Sequence, residues 1–200
     1  TDEVIGAEDN ESMRGLYFCQ WNSSNKFVSL NYTRIFLNIA YANEYLRETT
    51  PEKLAERNAD DQLKEKVAGF RNEARVLRAM NYYFLMDLYG NVPFIDENFP
   101  IGSNEVVQRD RSFFFPWIES ELKAVEGKLP PADKAHYGMV NDPTIWMLLA
   151  KMYLNAEVYT GQERYDDCLY YLNKVLGAGF SIDPTYSNMF CADNHNSPEI

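Results

Sequence analysis

The segment from residue 60 to residue 89 constrains the fold most, because its apolar residues follow the period of an α-helix. One stripe recurs every three or four positions, at Val67, Phe70, Ala74, Leu77, Asn81, Phe84 and Leu88. The opposite side is apolar from residue 76 onward, at Val76, Ala79, Met80, Tyr83 and Met86. A helix that is apolar on nearly every side is buried on several of them. We therefore predict a central helix, sandwiched between other helices and ended by Gly90.

The same spacing predicts four further helices, over residues 26–48, 112–129, 142–159 and 163–177. Ser112 is a suitable N-terminal cap for the helix that follows it, and Asp142 is one for the next, with Pro143 in its first turn. The helix over residues 142–159 is also apolar on both sides, which predicts a second central helix.

The rest of the chain lacks this periodicity. Residues 1–25 are predicted to be irregular, and residues 91–111 to form a long connection of the kind that often carries function. Residues 180–200 read as a loop, with a short strand near residues 180–182.

An internal repeat refines the fold class. Four positions match between residues 76–90 and residues 147–161, namely Leu77 with Leu148, Ala79 with Ala150, Tyr82 with Tyr153 and Gly90 with Gly161. Their separation is close to two tetratricopeptide periods of about 34 residues each. We predict an all-α chain of tetratricopeptide-like helical hairpins, an α–α superhelix with long irregular loops.

Charge and hydropathy exclude some partners. The net charge is −11, with 30 acidic and 19 scattered basic residues, so we expect no binding to nucleic acid or to an anionic membrane surface. No stretch of about 18 apolar residues exists to span a bilayer. A signal peptide and a lipid-anchoring cysteine, if the protein is exported, are expected upstream of Thr1.

Several stretches resemble the SusD/RagB family of outer-membrane nutrient-binding proteins. Residues 73–93 carry EARVLRA, YYF and LYGNVP, which resemble the family pattern EARFLRA, YYF and YGDVP. Further likenesses follow in order, at Ile118, Leu122 and Leu129-Pro130, at residues 148–154, and at Tyr186, Phe190 and residues 196–200; Thr1-Asp2-Glu3 matches a common opening. Two positions depart from the pattern, Glu121 for an aspartate and Met139 for an arginine.

The resemblance implies a lipid-anchored protein on the outer face of the outer membrane of Bacteroidetes-like bacteria. Such a protein captures oligosaccharides without catalysis or a cofactor, and docks on a TonB-dependent, SusC-like transporter. Family members are well over twice this length. Residues 1–200 are therefore expected to be a single helical-repeat domain, the N-terminal part of a longer protein.

Trp21 is the first candidate for sugar stacking, together with Tyr17 and Phe18 in the same polar, irregular stretch. An exposed indole offers its flat face to the C–H side of a sugar ring. The alternative is an aromatic anchor that pins the segment to the helices. Trp117 and Trp146 lie among apolar helical neighbours, which predicts core packing.

Other polar residues have structural explanations. Arg75 and Arg78 lie on the buried helix and should pair with glutamates of neighbouring helices, because a buried guanidinium needs partners. Asn81 should bond to a neighbouring backbone group. His136 and His195 lack a second metal ligand at helical spacing.

Metal and disulfide chemistry have weak signals. Five acidic residues near the start offer oxygen ligands to calcium, at no defined spacing, so solvation is the expectation: Asp2, Glu3, Glu8, Asp9 and Glu11. Cys19, Cys168 and Cys191 are expected to be free, mostly buried thiols, with a Cys19–Cys191 bridge as the alternative.

Three functions compete. The first is glycan capture and delivery to a transporter. The second is a helical-repeat scaffold that binds a protein and no sugar. The third is a hydrolase, which is disfavoured because the sequence has no nucleophile motif, phosphate loop or HExxH.

Overall fold

The computed structural model describes residues 10–133 and 136–199, and the regular secondary structure of these residues is almost entirely helical. The helices are α1 (Glu11–Tyr17), α2 (Lys26–Glu48), α3 (Pro51–Glu56), α4 (Asp61–Tyr89), α5 (Arg111–Val125), α6 (Asp142–Leu154), α7 (Ala156–Thr160) and α8 (Tyr165–Leu176). Two short strands, β1 (Val92–Pro93) and β2 (Gln108–Arg109), pair antiparallel between α4 and α5. Two 3₁₀ turns follow α8, at Tyr186–Phe190 and Asn194–Asn196.

The helices pack as neighbouring hairpins. α2 lies along α4, α4 along α5, and α6 along α8, while α5 also contacts α6 and α7. One continuous apolar core runs through these contacts, and its largest fully buried side chains include Tyr82, Phe114 and Tyr153. The all-α, tetratricopeptide-like prediction is therefore confirmed. None of the helices in the described ranges has an apolar stretch long enough to cross a bilayer.

The internal repeat holds at three of its four matched positions. Tyr82 and Tyr153 are both fully buried, as are Ala79 and Ala150. Gly90 and Gly161 both end a helix with positive φ, at 75° and 76°, a conformation that a side chain disfavours. The fourth pair differs, because Leu148 is buried and Leu77 is exposed.

The two central helices lie between other helices, but each keeps exposed apolar side chains. α4 contacts α2, α5 and α6, and these cover a face that includes Val76, Ala79, Leu85 and Met86. The predicted stripe instead lies largely in solvent, with exposed side chains at Phe70, Leu77, Phe84 and Leu88. Met147 and Leu154 of α6 are exposed in the same way. Both helices thus lie between other helices as predicted, while these apolar side chains remain exposed among the described residues.

Two short helices were missed by the periodicity. α1 lies in the stretch predicted to be irregular, and at seven residues it is too short to show a stripe. Pro51 occupies the first turn of α3, where its missing N–H costs nothing. The Thr50 hydroxyl accepts the Lys53 N–H at 3.4 Å and caps this helix.

The other corrections concern helix ends. Asp110 and Asn141 cap α5 and α6, where Ser112 and Asp142 were predicted. The helix expected over residues 142–159 breaks at Asn155, whose side-chain amide bonds to the carbonyl of Lys151 and competes with the helical pattern. Residues 180–182 form no strand.

Candidate functional site

The connection between α1 and α2 is a tight reversal of the chain. The Gln20 N–H donates to the carbonyl of Gly15 at 2.7 Å, and Cys19 adopts a left-handed conformation with φ of 54°. A Cβ on Gly15 would lie 3.3 Å from the Gln20 carbonyl oxygen, so a side chain here would push the two backbone segments apart by a few tenths of an ångström. The reversal places Phe18 and Trp21 at its outer edge.

A buried asparagine holds this connection in place. The Asn25 side-chain oxygen caps α2 by accepting the Phe27 N–H at 3.0 Å. Its amide nitrogen donates to the carbonyl of Ser12 in α1 at 2.8 Å. One buried side chain therefore fixes the end of the reversal to the helix at its beginning.

The reversal presents aromatic rings to solvent. Phe18 is 58% exposed and Trp21 is 52% exposed, while Tyr17 is partly buried. The rings of Tyr17 and Phe18 meet edge to face with centroids 4.8 Å apart. Trp21 makes no ring-to-ring contact with any described residue, so its indole stands apart from that pair. We call Tyr17, Phe18 and Trp21 the aromatic loop.

The aromatic loop is suited to reversible contact with a flat, weakly polar surface. An exposed indole face is electron-rich and attracts the C–H groups of a sugar ring, while its edge remains hydrated. A loop fixed by backbone and side-chain hydrogen bonds loses little conformational entropy when a ligand binds. A role for Tyr17, Phe18 and Trp21 in sugar binding stays a prediction.

The other two tryptophans pack against the core, as predicted. Trp117 contacts the rings of Tyr82 and Phe94, each at 5.1 Å. Trp146 donates its ring N–H to Glu126 at 2.7 Å. Both indoles are thus engaged by the helical array.

Arg75 and Arg78 form the predicted ion pairs. Arg75 bonds to both carboxylate oxygens of Glu121, at 2.8 and 3.2 Å. Arg78 is 3% exposed and bonds to Glu121 at 3.0 Å, to Glu97, and to Asn43 at 2.9 Å. The network joins α2, α4, α5 and the connection after β1, so it has a structural role.

The arginines also control the charge state of Glu121. Burial by itself would raise the pKa of Glu121, but the hydrogen bonds and charges of Arg75 and Arg78 outweigh that effect. The pKa of Glu121 therefore lies below its ordinary value, and its carboxylate is ionised at neutral pH.

The remaining candidates lie as follows. Asn81 donates to the carbonyl of Leu77 in its own helix at 2.7 Å and accepts a hydrogen bond from the Asn38 amide of α2 at 3.4 Å, so its partner across the interface is a side chain and not the predicted backbone group. All three cysteines are free, but only Cys168 is buried, so the expectation of mostly buried thiols is wrong.

The candidate calcium ligands lie at the start of the chain. Asp2, Glu3, Glu8 and Asp9 lie outside the described residues. Glu11 lies in the exposed first turn of α1. In the part of the chain that the structure describes, no three His, Cys, Asp or Glu side chains are grouped to hold a metal ion.

The tetratricopeptide-like hairpins define the chain as a helical-repeat scaffold. The model of a family described as "Starch-binding associating with outer membrane" matches residues 4–114. The chain belongs to this SusD-like family.

Individual relatives agree with this assignment. The starch-binding protein SusD of Bacteroides thetaiotaomicron is 32% identical over 196 residues, which is 97% of this chain and 33% of SusD. The chain thus spans about a third of that relative's length.

Solved structures match in fold. A laminarin-binding SusD-like protein superposes with a TM-score of 0.77 at 22% identity, covering 96% of this chain and 41% of the other. Surface glycan-binding protein A from Bacteroides uniformis gives a TM-score of 0.73 at 22% identity, covering 94% and 40%.

Proposed function

We propose that this protein captures an uncharged glycan at the outer membrane and that the aromatic loop supplies the stacking surface. The observation that carries the proposal is the half-exposed indole of Trp21 on a loop fixed by Asn25. Its membership of the SusD-like family, and relatives named for starch and laminarin binding, support the same ligand class. The net charge of −11 favours an uncharged ligand over an acidic one.

The proposed role is binding without chemistry on the glycan. The protein holds an oligosaccharide by ring stacking and by hydrogen bonds to its hydroxyl groups. Incubation with oligosaccharides, followed by chromatography, tests the hydrolase alternative: shortened products would contradict this part of the proposal.

The proposal extends to location and delivery. We infer that a lipid anchor upstream of this chain holds the protein on the outer face of the outer membrane, where it passes the glycan to a TonB-dependent, SusC-like transporter. Protease treatment of intact cells should remove an outward-facing protein. Co-purification with a TonB-dependent transporter from the same genome should yield a complex by native mass spectrometry, and separate elution of the two would contradict delivery by contact.

Calorimetry with maltoheptaose and laminarihexaose tests glycan binding directly. We expect saturable binding of at least one oligosaccharide, and Trp21→Ala should weaken it by roughly five- to tenfold, since one aromatic stack contributes about 1 kcal/mol. Trp21→Phe keeps a ring and should recover part of the affinity. Tyr41→Ala, which removes a 66% exposed tyrosine from α2, is the matched control and should leave affinity unchanged.

A protein-binding scaffold is the second candidate, and one surface favours it. Phe84 and Leu88 of α4 border a shallow depression of about 370 Å³ beside Asn31, Arg34 and Asn38 of α2. Exposed apolar patches of this kind often mark protein interfaces. Absence of binding to every oligosaccharide tested would favour this scaffold role over glycan capture.

A further inference from the structure

A concave surface, separate from the aromatic loop, is formed by residues far from that loop in the sequence. A cavity of about 660 Å³ opens between the connection that precedes α6 and the segment that follows α8. Both histidines of the chain, His136 and His195, line it. The cavity shares no residue with the aromatic loop, and its volume lies within the range of about 300–1,000 Å³ that is usual for small-molecule sites.

The walls of the cavity are held by contacts among its lining residues and their neighbours in the chain. The rings of Tyr137 and His195 meet edge to face with centroids 5.9 Å apart. His136 bonds through Nδ1 to the Asp133 carboxylate at 2.7 Å. The Ser181 N–H donates to the carbonyl of Pro198 at 3.3 Å and joins the two sides of the C-terminal segment.

The chemistry of the lining selects one class of ligand. The carboxylate of Asp133 lies in the wall of the cavity and disfavours a bound anion. No three-ligand metal cluster occurs among the described residues, which disfavours a metal ion. Imidazole, amide and carboxylate groups beside the 60% exposed ring of Tyr137 offer both hydrogen-bond donors and acceptors together with a stacking face.

We propose that this cavity is a second carbohydrate site, which holds one sugar unit of an oligosaccharide against Tyr137 with hydroxyl groups bonded to His136 and His195. The inference rests on the proposed function, because it assumes the same glycan ligand. Two separated sites would let the protein hold a chain at two points, which raises its overall affinity without stronger contacts at either.

The two histidines make the test direct, because residues 1–200 give only two histidine Cε1–Hε1 signals in a proton–carbon NMR spectrum. His136→Gln and His195→Gln assign them. The protein is titrated with maltoheptaose and laminarihexaose at matched pH, and calorimetry is run in parallel. We expect saturable shifts of both histidine signals with the oligosaccharide that binds.

Variants separate the cavity from the aromatic loop. Trp21→Ala and the control Tyr41→Ala should keep the saturable histidine shifts. Tyr137→Ala should weaken the apparent affinity read from the histidine signals by roughly fivefold or more. Tyr137→Phe keeps the ring and should stay close to the wild-type value, which distinguishes loss of stacking from loss of structure.

Each remaining outcome contradicts a stated proposal. Calorimetric binding with unmoved histidine signals overturns the second site and leaves the proposed function intact. The second site is also overturned if the histidine shifts disappear in Trp21→Ala but persist in Tyr137→Ala. A wild-type protein that binds neither oligosaccharide overturns both proposals.

Discussion

Arg78 on α4 donates a hydrogen bond to Glu121 on α5, with 3.0 Å between Nη2 and Oε2. The same guanidinium bonds to Asn43 on α2 at 2.9 Å and to Glu97 on the connection after β1. Three helices and a long loop therefore meet at one buried cation. Glu121 also bonds to Arg75, so its carboxylate neutralises two arginines at once.

Replacing Glu121 by alanine should destabilise the protein strongly. Arg78 would lose a partner in a site where it is 3% exposed, and breaking a buried pair in this way costs about 3 kcal/mol. Urea unfolding followed by circular dichroism measures the change. Glu44→Ala removes the exposed pair with Arg47 and should cost about 0–1 kcal/mol. Equal losses in the free energy of unfolding would show that the buried network stabilises the protein no more than an exposed ion pair does.

Acid should weaken the same network. The pKa of Glu121 is lower in the folded protein than its ordinary value near 4.5, so the folded state binds the proton less tightly than the unfolded state does. The stabilisation is fully present above pH 4.5 and is lost as the pH falls through the lower, folded-state pKa. In Glu121→Gln, the free energy of unfolding should depend less steeply on pH below 4.5. Parallel curves for the variant and the wild type would contradict this assignment.

Tyr82→Phe should loosen the connection after β1. The buried Tyr82 hydroxyl accepts the Ile95 N–H at 2.9 Å and donates to the Ile95 carbonyl at 2.7 Å. Burial raises the pKa of Tyr82, so the hydroxyl keeps its proton and remains a donor. Removing it leaves a backbone N–H unsatisfied, at a cost of about 1–3 kcal/mol. Hydrogen exchange at Ile95 should accelerate, whereas the exposed control Tyr41→Phe should change neither stability nor exchange.

Trp21 and Trp146 should differ in their effect on stability. Trp21→Ala removes a half-exposed ring without ring contacts among the described residues and should change the free energy of unfolding by less than about 0.5 kcal/mol. Trp146→Ala removes core packing and the bond to Glu126, and should cost about 3 kcal/mol. A large loss of stability for Trp21→Ala would instead identify Trp21 as an anchor of the loop.

The main helices could be predicted from local spacing because helix formation depends on residues three and four positions apart. That spacing gave α2, α4, α5, α6 and α8 close to their observed bounds. The side of α4 that is buried could not be predicted in this way. Both of its sides are apolar, and only the positions of α2, α5 and α6 decide that Val76 is covered while Leu77 is exposed.

The aromatic loop was predicted only in part. Residue type and polar surroundings indicated Trp21, but the separation of its indole from the Tyr17–Phe18 pair depends on a backbone reversal with positive φ at Cys19. The cavity that brings together His136 and His195 had no local signal at all. The two residues are distant in sequence, so only folding places them in one site.

By itself, the sequence determined an all-α repeat, its main helices, the ion pairs of Arg75 and Arg78, and the SusD-like family. These properties follow from short-range periodicity and from the need of buried charges for partners. The tertiary structure alone decided which apolar faces remain open, how the aromatic loop is held, and where the two histidines meet. The reason is physical: burial and cavity shape are set by contacts between segments far apart in the chain, and no local pattern of residues encodes such contacts.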